Sequence, residues 1–435
     1  MSSIIETAKK AKAASVILAR LPEEQKNKAL LAVASGISRH REEILAANRL
    51  DLLAAGPLVE SGRMAAVLYD RLKLDDAKLH DIVTGIQQVV AMVDPVGRVT
   101  LATELDEDLT LYRVTCPIGV IGVIFESRPD ALLQISSLCL KSGNAILLKG
   151  GSEAENSNRA LFRVIHSSAV EQGIPAEAMA LLESREDVNA LLKAEGFVDL
   201  IVPRGSNDLV RFIQQNTVIP VLGHAEGICH IYVDSDGDLE KAIRITLDAK
   251  VEYPAACNAV ETLLVHRDVA ASFLPRVADA LKSRGVELRC DERSIQYVAD
   301  ARQSNESDWS TEYCDLILSI KVVDSLDEAI EHINFYGSNH TDAIVTEKEA
   351  AWERFFAGVN SAGVYLNAST RFADGYRYGF GAEVGISTGK MHPRGPVGLE
   401  GLVTYKYKLV GDGHTANMYS AKGGRRFTHR TIDHG

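Results

Sequence analysis

Three observations predict an α/β protein built on parallel sheets. Short apolar runs alternate with amphipathic helical stretches, glycines close several of those helices, and 435 residues exceed what one core ordinarily organises. Two domains are therefore expected. Hydrophobic residues at 46% and charged residues at 24% are the composition of a globular chain.

Residues 1–55 read as helices by their 3.6-residue spacing, "PEEQKNKALLAVASGISRH" most clearly, with acidic residues in its first turn. Next, "GVIGVIF" (119–125) reads as a buried strand, 130–143 as a helix closed by Gly143, and "NAILLKG" (144–150) as a second strand. The order continues through a helix in "EAENSNRALFRVIHSSAVEQG", a strand at 198–203, a helix in "NDLVRFIQQ" and a strand at 228–234. A second series starts at Asn258 with strand-like "NAVETLLVH", a helix at 268–285, the strand "VELRC", and a helix at 325–337 running into "TDAIVT". The domain boundary is expected near residue 250. That puts the loop carrying Cys257 at a seam, where ligand clefts commonly form.

A net charge of -12 argues against a nucleic-acid partner or an acidic membrane surface. The longest apolar stretch, "IGVIGVIF" (118–125), is far short of a bilayer span, so no membrane partner is expected. The first 21 residues lack the apolar core of a signal peptide, and the six cysteines form no CxxC pair. Both point to a reducing, cytoplasmic location.

Nucleotide motifs are informative by failing. No G-x-G-x-x-G follows a strand and opens a helix; "GISTGKM" (385–391) ends in Met391 where a phosphate loop needs Ser or Thr; and "GPVGLEG" has no helix after it. The turn "PRGSND" (203–208) does join a strand to a helix through Gly205 and Ser206, whose N–H groups can meet a cofactor phosphate or simply start a capped helix. Lys149, at the end of a strand and ahead of two glycines, stands where an open sheet meets its ligand.

Cys257, in "PAACNAVET", is either a small hydrophobe or a nucleophile. As a thiolate it would attack an acyl carbon and later leave, splitting the reduction of an activated acid into two steps. The backbone N–H groups at Cys257 and Asn258 are the nearest oxyanion donors. Cys116, Cys139, Cys229, Cys290 and Cys314 lie in apolar patterns or at strand ends and are assigned to packing. His224, His230, His332 and His340 match no zinc spacing, so no metal is expected.

Several segments, in order along nearly the whole chain, resemble the γ-glutamyl phosphate reductase family of the aldehyde dehydrogenase superfamily. They are "CPIGVIGVIFESRPD", "LLKGGSEAENSN", "PVLGHAEGICHIYVD", "PAACNAVETLLV", "VDSLDEAIEHINFYGSNHTDAI" and "YLNASTRFADGYRYGFGAEVGIST". In the fifth, Val323, Ala329, His332, Ile333, Tyr336, Gly337, Ser338, His340, Thr341, Asp342 and Ile344 follow the family's signature.

The resemblance implies an aldehyde dehydrogenase-like α/β fold, with two parallel-sheet domains, a cleft between them and an oligomerisation arm. It also implies NADPH-dependent reduction of L-glutamyl 5-phosphate to L-glutamate 5-semialdehyde, a step of proline biosynthesis. Cys257 takes the nucleophile's place in it. Lys149 stands beside the adenosine ribose and the 2′-phosphate of NADPH, and Glu312 at the nicotinamide ribose. Arg128 replaces the asparagine of hydrolytic relatives and would grip the acyl phosphate with paired donors. Arg371, with Ser369 and Thr370 beside it, would meet the substrate's α-carboxylate, although either arginine could instead tie elements together through a salt bridge. Gly223 falls where hydrolytic relatives carry a glutamate base.

Domain roles follow from the same resemblance: 1–250 for the dinucleotide, 251–385 for catalysis, 386–420 for a return segment and oligomerisation strand, and 421–435 as a polar tail expected to be poorly ordered. "GLVTYKYKL" (401–409) alternates as a strand with one covered face and implies a homodimer or a dimer of dimers. A glutamate 5-kinase is the partner that would hand over so labile a substrate. A hydrolytic NAD(P)-dependent aldehyde dehydrogenase is the alternative enzyme. A non-catalytic protein of the same fold is a third reading.

Overall fold

The apolar runs at 120–125 and 145–150 have no polar face to give to water, so they need cover on both sides. They have it in the computed structural model, which describes residues 3–224, 226–380, 382–391, 393–421 and 423–433. Two units emerge, one of Met1–Val221, Gly381–Gly385 and Val397–Gly435, the other of Leu222–Phe380 and Ile386–Pro396.

In the first unit, Val120–Phe125 and Ala145–Gly150 are buried along their whole length. They are the central pair of a four-stranded parallel sheet ordered Met179–Leu182, Ala145–Gly150, Val120–Phe125, Leu200–Arg204. Helix Pro129–Lys141 opens on a proline. It closes as a Schellman turn, in which Gly143 at φ +73° donates to Leu140 O and Asn144 donates to Cys139 O at 2.8 Å. Helices Ser3–Leu18, Glu23–Arg39 and Arg41–Glu60 precede this sheet, as their periodicity predicted.

A second, antiparallel sheet in this unit is ordered Val403–Val410, Leu109–Pro117, Val99–Asp106, Arg430–Thr431. The hairpin 99–117 has no counterpart in the sequence-based reading. Two expectations change here. Strand Val403–Val410 has no covered face: beyond Val403 every residue is exposed, Tyr405, Tyr407, Leu409 and Val410 included. Among its described residues the tail is tied down where Thr428 N donates to Leu105 O and Ile432 N to Ala102 O, on either side of its short strand.

The second unit holds a seven-stranded, wholly parallel sheet ordered Arg302–Gln303, Glu287–Cys290, Ile317–Val323, Val260–His266, Cys229–Val233, Thr341–Val345, Gly363–Leu366. Its core gathers Ile231, Val260, Leu263, Phe273, Leu274 and Ile320 among others. The first unit's opening segment ends at Val221, ahead of the seam drawn near residue 250, because Cys229–Val233 pairs with Val260–His266 and Thr341–Val345 inside this sheet.

Candidate active site

Cys257 lies between helix Leu239–Val251 and strand Val260–His266. Lys250 near the end of the helix and Glu261 at the start of the strand form a fully buried ion pair at 2.6 Å, clamping both ends of that loop. Burial pushes Glu261 up to about 8 against the pull of Lys250. The loop is tied down a second time through Asn258, whose Nδ2 donates to Ala373 O at 2.9 Å, while Thr370 Oγ1 donates to Asn258 O at 2.7 Å.

Behind the cysteine sits Gly227. A β-carbon there would stand 2.0 Å from Cys257 O and 2.5 Å from its α-carbon, so only glycine admits this packing. Cys229 is buried, its thiol donates to Cys257 O at 3.4 Å, and burial holds its pKa far above the ordinary thiol value. Cys257 itself is half-buried. Of the cysteines assigned to packing, Cys139, Cys229 and Cys290 are buried, Cys116 is half-buried, and Cys314 departs from the assignment by standing exposed at φ +53°.

Two histidines that sequence spacing left aside come to the same place. His224, Cys257 and His340 each present a ligand-type atom, and the three atoms lie within 4.8 Å of one another. The sheet explains the convergence: the loops before Cys229–Val233, Val260–His266 and Thr341–Val345 leave the same edge of three adjacent parallel strands.

Among the proposed substrate residues, Ser369, Thr370 and Arg371 are brought to the Cys257 loop, but in a supporting posture. Thr370 is fully buried with its hydroxyl committed to Asn258, and Ser369 Oγ accepts from Arg371 N at 3.3 Å. Arg371 Nε pairs with Glu252 at 2.6 Å, and Arg377 joins the same carboxylate at 2.9 Å. The salt-bridge alternative therefore describes Arg371. Thr370 is corrected from substrate donor to loop tie, because its one proton is already used. Glu312 is half-buried in the segment after Glu306–Ser310.

In the first unit, Arg128 stands at the N-terminal boundary of helix Pro129–Lys141, without a side-chain capping bond, after Ser127, a non-glycine residue at φ +48°. Ser127 is held there by N–H and hydroxyl bonds to Glu153 Oε1. The Arg128 guanidinium is partly exposed, 3.9 Å from Asp130. Lys149 is buried at its strand's carboxyl end, donating to Gly150 O.

Ser206 caps helix Asn207–Gln215 through Leu209 N, and its own N–H donates to Glu126 Oε2 at 2.9 Å. A β-carbon on Gly205 would meet the same carboxylate at 2.4 Å. Here the expectation of N–H groups open to phosphate needs correction, since Glu126 already takes the Ser206 donor. Lys149, Gly205 and the Glu126 carboxylate, which suits sugar hydroxyls, nonetheless fit a dinucleotide.

A half-buried thiol fixed at a glycine-backed loop, together with such a strand edge, is the equipment of an aldehyde dehydrogenase. The chain matches the aldehyde dehydrogenase family profile over residues 2–303. It is 55% identical over 428 residues to a γ-glutamyl phosphate reductase of Trichodesmium erythraeum (strain IMS101), covering 98% of each chain. It is 58% identical over 421 residues to one from Synechococcus sp. (strain JA-2-3B'a(2-13)), covering 97% of this chain and 92% of the relative. The crystal structure of γ-glutamyl phosphate reductase from Thermotoga maritima superposes with TM-score 0.92 at 41% identity, covering 95% of this chain and all of the other. The chain belongs to the γ-glutamyl phosphate reductases within the aldehyde dehydrogenase family.

Proposed function

We propose that this enzyme reduces L-glutamyl 5-phosphate to L-glutamate 5-semialdehyde and phosphate, in proline biosynthesis, with Cys257 as nucleophile. Family membership supports the reaction. The observation that carries the residue assignment is the Cys257 loop, held by Gly227, by the bonds of Asn258 and by the Lys250–Glu261 pair, with Cys257 half-buried.

In this reading the Cys257 thiolate attacks the acyl carbon, phosphate leaves, and an S-acyl enzyme forms. The Cys257 and Asn258 N–H groups serve the oxyanion. Arg128 grips the phosphate, and Arg371 with Ser369 positions the loop on which the substrate's α-carboxylate would rest. The family uses NAD(P), whose reduced form would supply the hydride that turns the acyl thioester into the semialdehyde and restores the thiol. Lys149 favours NADPH by meeting a 2′-phosphate. Glu126 and the turn at Gly205 and Ser206 would hold sugar hydroxyls, and Glu312 the nicotinamide ribose. The reaction calls for no metal.

We read the first unit as serving the dinucleotide and the second, which starts at Leu222, as carrying the catalytic chemistry, with Val403–Val410 as the oligomerisation strand and 421–435 as a polar tail. No described helix is long and apolar enough to cross a membrane. Cytoplasmic location, a glutamate 5-kinase partner, and a homodimer or dimer of dimers joined through Val403–Val410 complete the reading.

The test is the reverse reaction: glutamate semialdehyde should reduce NADP⁺ only when phosphate is present. Cys257→Ala should lose this turnover and keep dinucleotide affinity within a few fold. Retained turnover would move the nucleophile elsewhere, and turnover without phosphate would favour the hydrolytic alternative.

A further inference from the structure

We infer that His224, Cys257 and His340 form a reversible site for a thiophilic divalent cation, of which Zn²⁺ is the type, and that its occupancy silences the enzyme. The silencing rests on Cys257 being the nucleophile; the binding does not.

The three donors come from loops 33 and 83 residues apart in sequence, and their ligand atoms lie within 4.8 Å of one another. Around tetrahedral zinc, with bonds of about 2.0 to 2.3 Å, neighbouring donors stand roughly 3.5 Å apart. Closing the difference takes about 1 Å of side-chain movement. Cys257 and His224, both half-buried, have more room to move than His340.

In both imidazoles Nδ1 has a polar neighbour, which leaves Nε2 as the ligand nitrogen in this reading. His224 Nδ1 is 3.0 Å from Ile386 O, and since a carbonyl only accepts, Nδ1 carries the proton and Nε2 the lone pair. His340 Nδ1 is 3.0 Å from Thr341 Oγ1 and 3.8 Å from Cys229 Sγ. His340 is 1% exposed, and its Nε2 is buried with no hydrogen-bond partner among the described residues. A buried nitrogen without a partner is uncommon and calls for an explanation. A cation beside the thiol would supply one.

One thiolate and two imidazoles select Zn²⁺ over Mg²⁺ or Ca²⁺, which prefer oxygen. On binding, the Cys257 thiol releases its proton to solvent and a sulfur–zinc bond forms, with no change of oxidation state. Affinity should therefore tighten as pH rises. A sulfur lone pair committed to zinc cannot attack an acyl carbon, so the cation inhibits and a chelator restores.

The experiment titrates the full-length enzyme with Zn²⁺ and Co²⁺, reading heat and the thiolate-to-cobalt absorption band, and follows iodoacetamide labelling of Cys257. One cation per chain is expected, with a cobalt–thiolate band, protection of Cys257, and reversal by EDTA, whereas Mg²⁺ should do none of these. His224→Gln should weaken binding at least about tenfold. Cys257→Ser should abolish the band. His340→Gln, whose fold is checked by circular dichroism, should weaken binding as His224→Gln does. Binding unchanged in Cys257→Ser, or zinc inhibition that leaves Cys257 open to labelling, would overturn the site. If Cys257→Ser still turned over substrate, the nucleophile assignment would fall while the cobalt result stood on its own.

Discussion

The α-carbon of Gly227 lies directly behind the backbone of Cys257, leaving no room for a methyl group: a β-carbon would stand 2.6 Å from the Cys257 carbonyl carbon. All three of its nearest neighbours are main-chain atoms, which cannot rotate out of the way. Gly227→Ala must therefore move the Cys257 loop. A misplacement near 1 Å can cost about a hundredfold in rate, so kcat should fall by roughly that factor. Circular dichroism should show the fold retained. A variant with the parent's kcat would mean that the loop is not held from this side.

Arg128 and Arg371 should separate in kinetics. The Arg128 side chain is 44% exposed, whereas Arg371 is buried against Glu252 at 2.6 Å. Arg128→Ala should raise the KM for phosphate in the reverse direction by tenfold or more, on the order of one charge-assisted contact, and leave NADP⁺ affinity nearly unchanged. Arg371→Ala should instead lower the melting temperature and kcat together. Equal phosphate effects in the two variants would return Arg128 to a structural role.

Gly223 offers no side chain to activate water. Given semialdehyde and NADP⁺ without phosphate, the enzyme should release at most about one equivalent of NADPH and stop as the acyl enzyme. A single-turnover burst followed by a plateau, relieved by added phosphate, is the expected trace. Continuous glutamate formation would show that another base, such as Glu226 three residues on, serves the thioester.

His332 sets an acid limit on stability. Burial, reinforced by His230 and Lys321, pushes its pKa down to about 2 from an ordinary 6.5. Between those values the unfolded chain takes up a proton that the folded one refuses, so stability is lost as pH falls below 6.5. One such proton is worth about 1.4 kcal/mol per pH unit. Urea unfolding at pH 5 and 7 should show this slope, and His332→Phe should remove about one proton's share of it.

How much of this was legible beforehand follows from where the constraints act. Strands 120–125 and 145–150 were plain because both faces are buried and the residues are apolar without a break. Hairpin 99–117 was not, since its residues are mostly half-buried and mix charge with apolar side chains. Cys257 was singled out by resemblance, but His224, Gly227 and His340 gather around it only because Val260–His266, Cys229–Val233 and Thr341–Val345 are neighbours in a sheet whose order is not chain order. No local pattern encodes that adjacency. The commitments of Thr370 and of the Ser206 N–H were hidden likewise, because their partners Asn258 and Glu126 lie far away in sequence.

The antiparallel sheet is unequal at its two borders. At one border the Arg430–Thr431 strand and its flanking bonds occupy residues 102–105, on a strand that also carries two register irregularities. At the other, Val403–Val410 pairs with 110–117 and, among the described residues, on that side only. A ribbon with hydrogen-bonding capacity on one border has a combining number of one. Two such ribbons can complete each other about a twofold axis, after which no border remains to recruit a third. If chains associate through Val403–Val410, strand Arg430–Thr431 on the opposite border would favour a closed pair over a growing fibre.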